Sequence, residues 1–133
     1  MINSHILTHE FEYVEPHTIE EAVSCMTAYP GKAQVMAGGT DLLVRMKMGK
    51  AHPEVIVGLS KIPALRYLIH EQGLHIGALT TFREIERNEL IQRRYTALFE
   101  AARAVTSIQI KTMGTLGGNL CHGSPAADSA PPL

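Results

Sequence analysis

Two glycine-bearing stretches carry the residue types in this sequence that could do chemistry on a bound ligand. The first is Met36-Ala-Gly-Gly-Thr-Asp-Leu-Leu43. Apolar residues before the glycine pair predict a strand, and those after it predict a helix. Glycine lets backbone come close to a ligand, and an opening helix presents unpaired N–H groups that favour an anion. Thr40 adds a hydroxyl donor, whereas Asp41 would repel a phosphate, so its expected role is to cap the helix. Turn chemistry alone favours the plainer alternative, a glycine turn between strand and helix. The second stretch is Thr112-Met-Gly-Thr-Leu-Gly-Gly-Asn-Leu-Cys-His-Gly-Ser-Pro-Ala-Ala-Asp128. It is too long and too polar for a simple hairpin. It reads as a loop with backbone donors for an extended polar ligand, the alternative being a surface loop without one. Neither stretch has the G-x-G-x-x-G spacing of a Rossmann unit, and no G-x-x-x-x-G-K-[ST] loop occurs. The ligand logic is similar to those folds, but the fold is expected to differ.

Other reactive side chains are weaker candidates. His5 and His9 are four apart, a metal-compatible spacing on a helix, but their surroundings are strand-like and no third ligand is evident, so both are expected at the surface. Cys121-His122 resembles a nucleophile and base, but neighbours in a strand point to opposite faces. Cys25, on the amphipathic helix that follows Thr18, is expected in the protein core. Arg45, Lys47 and Lys50 are expected on a solvated helix face.

The elements that must position these residues follow from periodicity. Residues 11–16 alternate as a short strand. Thr18-Ile-Glu-Glu21 has the form of a capping box, and Ile19, Ala22, Val23 and Met26 continue at helical spacing until Pro30-Gly31. Residues 33–36 read as a buried strand that runs into Gly38-Gly39, and residues 41–48 as a short helix before Gly49. Residues 54–59 read as another buried strand. Residues 67–70 and 74–78 flank Glu71-Gln72-Gly73 as a hairpin. Thr81-Phe-Arg-Glu84 is a second capping box with a short helix. Residues 95–105 predict a helix whose apolar face lacks partners for the core. Beyond Ser107 the chain reads as mostly loop. Pro131-Pro132-Leu133 brings neither a charged tail nor a closing helix, so the natural domain is expected to continue or to be completed by another chain.

Bulk properties exclude several classes. The 133 residues are 45% hydrophobic and 19% charged, ordinary for a globular domain. Twelve Lys and Arg against thirteen Asp and Glu give a formal net charge of −1, without the basic excess that nucleic acid requires. No apolar run approaches the roughly 18 residues of a membrane span, and the N-terminus lacks a secretory pattern. Two cysteines cannot supply an iron–sulfur cluster, and a cytoplasmic location with reduced thiols is expected.

Taken together, Ala37-Gly-Gly-Thr-Asp-Leu42 and Thr115-Leu-Gly-Gly-Asn-Leu120, followed by Ser124-Pro-Ala-Ala-Asp128 and Pro131, resemble the FAD-binding (medium) subunit of the molybdenum hydroxylase family. That family includes the carbon monoxide dehydrogenase, xanthine dehydrogenase and hydroxybenzoyl-CoA reductase types. The resemblance extends to Phe11-Glu-Tyr-Val-Glu-Pro16 and Ile76-Gly-Ala-Leu-Thr-Thr81, and the two motifs in this order make it specific. It implies an α+β fold of the vanillyl-alcohol oxidase and p-cresol methylhydroxylase type, built of two α/β lobes. Residues 1–55 or so would form the small lobe, and residues from about 56 to 133 an incomplete start of the second.

The resemblance also implies site residues. Met36, Ala37, Gly38, Gly39, Thr40, Asp41 and Leu42 would form the FAD diphosphate loop, with the backbone of residues 37–41 in contact. Thr115, Gly117, Gly118 and Asn119 would hold the diphosphate and ribityl region, and Cys121 and His122 would line the cofactor. Asp128 would meet a polar part of FAD, and Val105 and Thr106 would lie near the adenine end. The implied partners are a molybdenum-binding large subunit, which oxidises substrate, and an iron–sulfur small subunit with 2Fe-2S clusters. Electrons would pass from the clusters through FAD to an acceptor such as NAD. A stand-alone flavin oxidase is the first alternative, but it would need a substrate pocket and an acid or base that the sequence does not display. The second is a non-catalytic interaction domain with purely structural glycines.

Overall fold

The computed structural model describes residues 7, 9–105, 107–124, 127 and 129–133. The chain divides into two compact units, Met1–Pro63 and Ala64–Leu133.

The first unit is a three-stranded parallel sheet with two helices: β1 (Glu12–Val14), α1 (Ile19–Ala28), β2 (Ala33–Met36), α2 (Leu42–Lys47) and β3 (Val55–Gly58). The spatial order is β1-β3-β2, with Tyr13 opposite Ile56 and Val35 opposite Val57. The central strand β3 is buried throughout, as its unbroken apolar run requires when both faces are covered. By contrast β2, read from sequence as buried, is an edge strand with only Ala33 buried and Val35 exposed. The two runs look alike in composition, and only sheet position separates them. Met46, Ala51 and Ile56 form the buried cluster, with Phe11, Met36, Leu42 and Leu43 packed against it.

The first capping box is only half formed. Thr18 accepts from the Glu21 N–H at 3.1 Å, but the Glu21 carboxylate accepts from the His17 N–H at 2.7 Å rather than from Thr18.

The second unit starts with an antiparallel hairpin, β4 (Leu68–His70) and β5 (Leu74–Ile76). Five helices follow: α3 (Phe82–Arg87), α4 (Glu89–Arg94), α5 (Thr96–Ala104), α6 (Ile108–Met113) and α7 (Leu116–His122). Phe82, Ile85, Ile91, Leu98, Ala102 and Leu116 make its core. Leu98 and Ala102 of α5 are therefore buried, so the helix expected to lack partners has them within this unit. The Thr81 and Glu84 capping box forms in full: the Thr81 N–H donates to the Glu84 carboxylate at 2.8 Å, and the Glu84 N–H to the Thr81 hydroxyl at 3.2 Å.

The region beyond Ser107 is not mostly loop. Ser107 and Thr115 cap α6 and α7 by accepting from the Ile110 and Gly118 N–H groups. Helix α7 keeps glycine in its interior because it lies against the chain at Ala78. A Cβ on Gly117 would stand 2.6 Å from the Ala78 Cβ and 2.8 Å from its carbonyl oxygen. The Gly117 N–H donates to that same oxygen at 2.9 Å, and Thr115 bridges Thr81.

A buried charge fixes α6 to α3. Lys111 is 8% exposed, and its Nζ donates to the Glu86 carboxylate at 2.8 Å, while Arg83 meets the other Glu86 oxygen at 2.9 Å. The hydrogen bond from Lys111 holds the Glu86 carboxyl below the usual carboxylate range, against the opposing effect of burial.

Two predictions follow from this packing. Gly117→Ala should lower stability by about 1–3 kcal/mol through overpacking; denaturant unfolding within about 0.5 kcal/mol of wild type, the range of ordinary surface substitutions, would refute the close approach. Glu86→Gln should cost about 3 kcal/mol, because it leaves the Lys111 ammonium buried without its carboxylate, and should cost more than Lys111→Met. Because native Glu86 has a depressed pKa, its contribution is present above the ordinary carboxylate range and is lost as pH falls through the native value. Acid unfolding of Glu86→Gln should therefore lose part of the wild-type pH dependence.

Candidate functional site

The first glycine motif joins β2 to α2. Met36 and Leu42, at its ends, direct their side chains into the first unit's core and so anchor the loop. Residues Ala37, Gly38, Gly39, Thr40 and Asp41 between them are half-exposed. Gly39 has φ +75°, a left-handed conformation that favours glycine. A Cβ there would also meet Leu43 and Met36 at 3.2 Å. The Gly39 and Asp41 carbonyls accept the first helical hydrogen bonds, from Leu43 and Arg45. Among the described residues, no group accepts a hydrogen bond from the N–H of Ala37, Gly38, Gly39 or Thr40. Four successive uncommitted donors beside a left-handed glycine fit the oxygens of a diphosphate. Helix α2 has only six residues, so these local donors outweigh its dipole. Asp41 stands at the N-cap position but makes no side-chain cap hydrogen bond, contrary to the role expected of it.

The second motif is built differently. The Leu116 N–H donates to Thr80, Gly117 to Ala78, Gly118 to the Thr115 hydroxyl and Asn119 to the Thr115 carbonyl, all at 2.9–3.1 Å. These donors are committed within the protein, so the loop of free donors read from the sequence is instead a helix. What faces outward is the half-buried Gly118 and the Asn119 side chain. The Asn119 Oδ1 accepts from the buried Ser129 hydroxyl at 2.5 Å, and among the described residues nothing accepts from its Nδ2. Thr115 itself is buried. Cys121 and His122 are exposed in the last turn of α7, before the left-handed Gly123. In a helix their side chains diverge by about 100°, not to opposite faces as a strand would require. Val105 ends α5 and is half-exposed, while Thr106 and Asp128 lie outside the described residues.

Among the remaining candidates, His9 is not the surface residue expected. Both its ring nitrogens are buried without a hydrogen-bond partner, and its ring packs 5.1 Å from His52 and 5.9 Å from Phe11. His5 lies outside the described residues. Among the described residues no three His, Cys, Asp or Glu side chains could hold a metal ion. Cys25 is half-buried, both cysteines are free, and Arg45, Lys47 and Lys50 are exposed. Sequence reasoning missed a set of three arginines, Arg66, Arg83 and Arg87, around one pocket of the second unit. The available signal was Arg83 and Arg87, four apart on a helix.

Comparison with known proteins shows the family of the chain. The family described as FAD binding domain in molybdopterin dehydrogenase matches residues 9–133. The chain is 39% identical over 121 residues to the nicotinate dehydrogenase FAD-subunit of Eubacterium barkeri, covering 90% of this chain and 41% of that one. It is 37% identical over 120 residues to the carbon monoxide dehydrogenase medium chain of Hydrogenophaga pseudoflava, covering 89% and 42%. A solved structure of carbon monoxide dehydrogenase from Hydrogenophaga pseudoflava, lacking the Mo-pyranopterin moiety of its cofactor, matches with a TM-score of 0.89 at 34% identity, covering 93% of this chain and 44% of that one. The chain thus spans about two fifths of the length of the curated relatives it matches. With a family match that takes in both glycine motifs and both units, the chain belongs to the FAD binding domains of molybdopterin dehydrogenases.

Proposed function

We propose that this chain is the FAD-binding part of an electron-transfer subunit in a molybdenum-dependent hydroxylase or dehydrogenase complex. The observation that carries the reading is the run of uncommitted N–H groups at Ala37, Gly38, Gly39 and Thr40, inside a chain whose family binds FAD. In this reading those groups hold the FAD diphosphate. Because the Gly117 and Gly118 N–H groups are committed, the second motif acts through the side chain of Asn119 and the close approach that Gly118 permits. Thr115 shapes that helix end. Cys121, His122, Val105, Thr106 and Asp128 complete the set by resemblance. Bound FAD supplies reversible one- and two-electron transfer, and the chain's residues supply binding and orientation. The two units would be the small lobe and the first part of the larger lobe of a vanillyl-alcohol oxidase type fold.

The relatives are named as FAD subunits and medium chains of dehydrogenases, which supports partners of the same kind here. We therefore assign a molybdenum-binding large subunit and an iron–sulfur small subunit as partners, NAD or another acceptor downstream, and a cytoplasmic location. No helix among the described residues is long and apolar enough to cross a membrane.

Gly38→Val tests the loop cleanly, because Gly38 lies outside the left-handed region and its backbone accepts other residues. FAD affinity, followed by flavin absorbance, should fall at least about tenfold, a loss of about 1.4 kcal/mol, with an unchanged melting temperature. Gly39→Ala should lose stability as well, by about 1 kcal/mol or more, since Gly39 is left-handed. Wild-type FAD affinity in Gly38→Val would remove the loop from the site.

A further inference from the structure

The second unit contains a pocket of about 380 Å³ that none of the residues assigned to FAD lines. Its size lies at the low end for small-molecule sites, roughly 300–1,000 Å³, and the residues that line it are all polar or charged types, with their aliphatic stems forming part of the surface. Three guanidiniums, Arg66, Arg83 and Arg87, face one carboxylate, Glu84, with Thr81, Asn88 and Thr112 between them.

The carboxylate and amide acceptors in this wall are already engaged. One Glu84 oxygen accepts from the Thr81 N–H and hydroxyl at 2.8 and 2.9 Å, and the other from Arg66 Nε and Nη2 at 3.0 and 2.9 Å. The Asn88 Oδ1 accepts from the Ile91 N–H at 3.1 Å. The Thr112 hydroxyl spends its proton on the Ile108 carbonyl and so offers the pocket no donor. The donors are in surplus. The Arg87 side chain lines the pocket and makes no ion pair or hydrogen bond with any described residue. Arg83 engages Glu86 through Nη1 alone, and among the described residues nothing accepts from the Asn88 Nδ2. A donor-rich wall with two more cations than anions is complementary to an oxyanion. The planar forks of arginine match its geometry.

We propose that this pocket binds a dianionic phosphate group, as inorganic phosphate or as a phosphomonoester. Arg87 and the free edge of Arg83 are one turn apart on α3 and grip adjacent oxygens. Arg66 is held in place by Glu84 and closes the opposite side. The absence of aromatic or apolar side chains in the wall leaves any substituent on the phosphate in solvent, so recognition is of the phosphate itself.

Calorimetric titration of the full chain with inorganic phosphate and with methyl phosphate, at constant ionic strength, tests this. Both should give saturable binding, and chloride at equal strength should give none. Arg87→Gln should weaken binding at least about tenfold, as loss of a charge-assisted contact does, and Arg66→Gln should weaken it as well. Neither should change the melting temperature by more than the exposed control Lys47→Gln, which should bind as wild type. If phosphate binds and methyl phosphate does not, the ligand is the free ion; equal binding assigns the phosphate group of a larger molecule. Gly38→Val should keep phosphate binding when FAD binding is lost, so the two sites fail separately. Absence of saturable binding, wild-type affinity in Arg87→Gln and Arg66→Gln, or loss of phosphate binding in Gly38→Val would each overturn the proposal.

Discussion

A backbone N–H taken out of water must find an acceptor. In this chain the two glycine motifs differ in how far that obligation is met inside the fold. Residues 116–119 meet it internally: their donors close on Thr80, Ala78 and Thr115, and the result is a helix packed tightly enough to need glycine at position 117. Residues 37–40 are half-exposed and donate to nothing among the described residues. The donors of the first motif therefore stay open to solvent or to a ligand, whereas those of the second are spent inside a helix that Gly117 packs against Ala78.

The joint is supported from behind. Gly114 accepts from the Phe82 N–H, Thr115 bridges Thr81, and Lys111, one turn earlier, is tied to Glu86 of α3. Phe82 and Leu116 then share one core with Ile85 and Leu98. A buried ion pair of this kind adds little net stability over an apolar pair. It ties α6 to α3, and Thr115 caps α7 a few residues on.

Much of the architecture was legible in the sequence because it rests on local signals. The capping box at Thr81 and Glu84, the hairpin around Gln72 and Gly73, and the fully apolar run of Val55 to Val57 each specify their element. The rest depended on partners distant in sequence. Nothing local distinguishes the edge strand β2 from the central β3. The glycines of α7 suggested a loop because their reason, the backbone at Ala78, lies far back in the chain. Ser107 and Thr115 were cap signals that the glycine content masked. Both glycine motifs were visible as a pair, and the family they indicated is the one that matches. Their division of labour was not visible, because it depends on which donors the fold has already used.

Amide hydrogen exchange, read residue by residue with and without FAD, tests that division most directly. Without FAD the amides of residues 37–40 should exchange fast, and those of residues 116–119 slowly. Addition of FAD should protect residues 37–40 strongly and change residues 116–119 little. Protection that appears at 116–119 while 37–40 stay unprotected would contradict the assignment of the first loop as the diphosphate site.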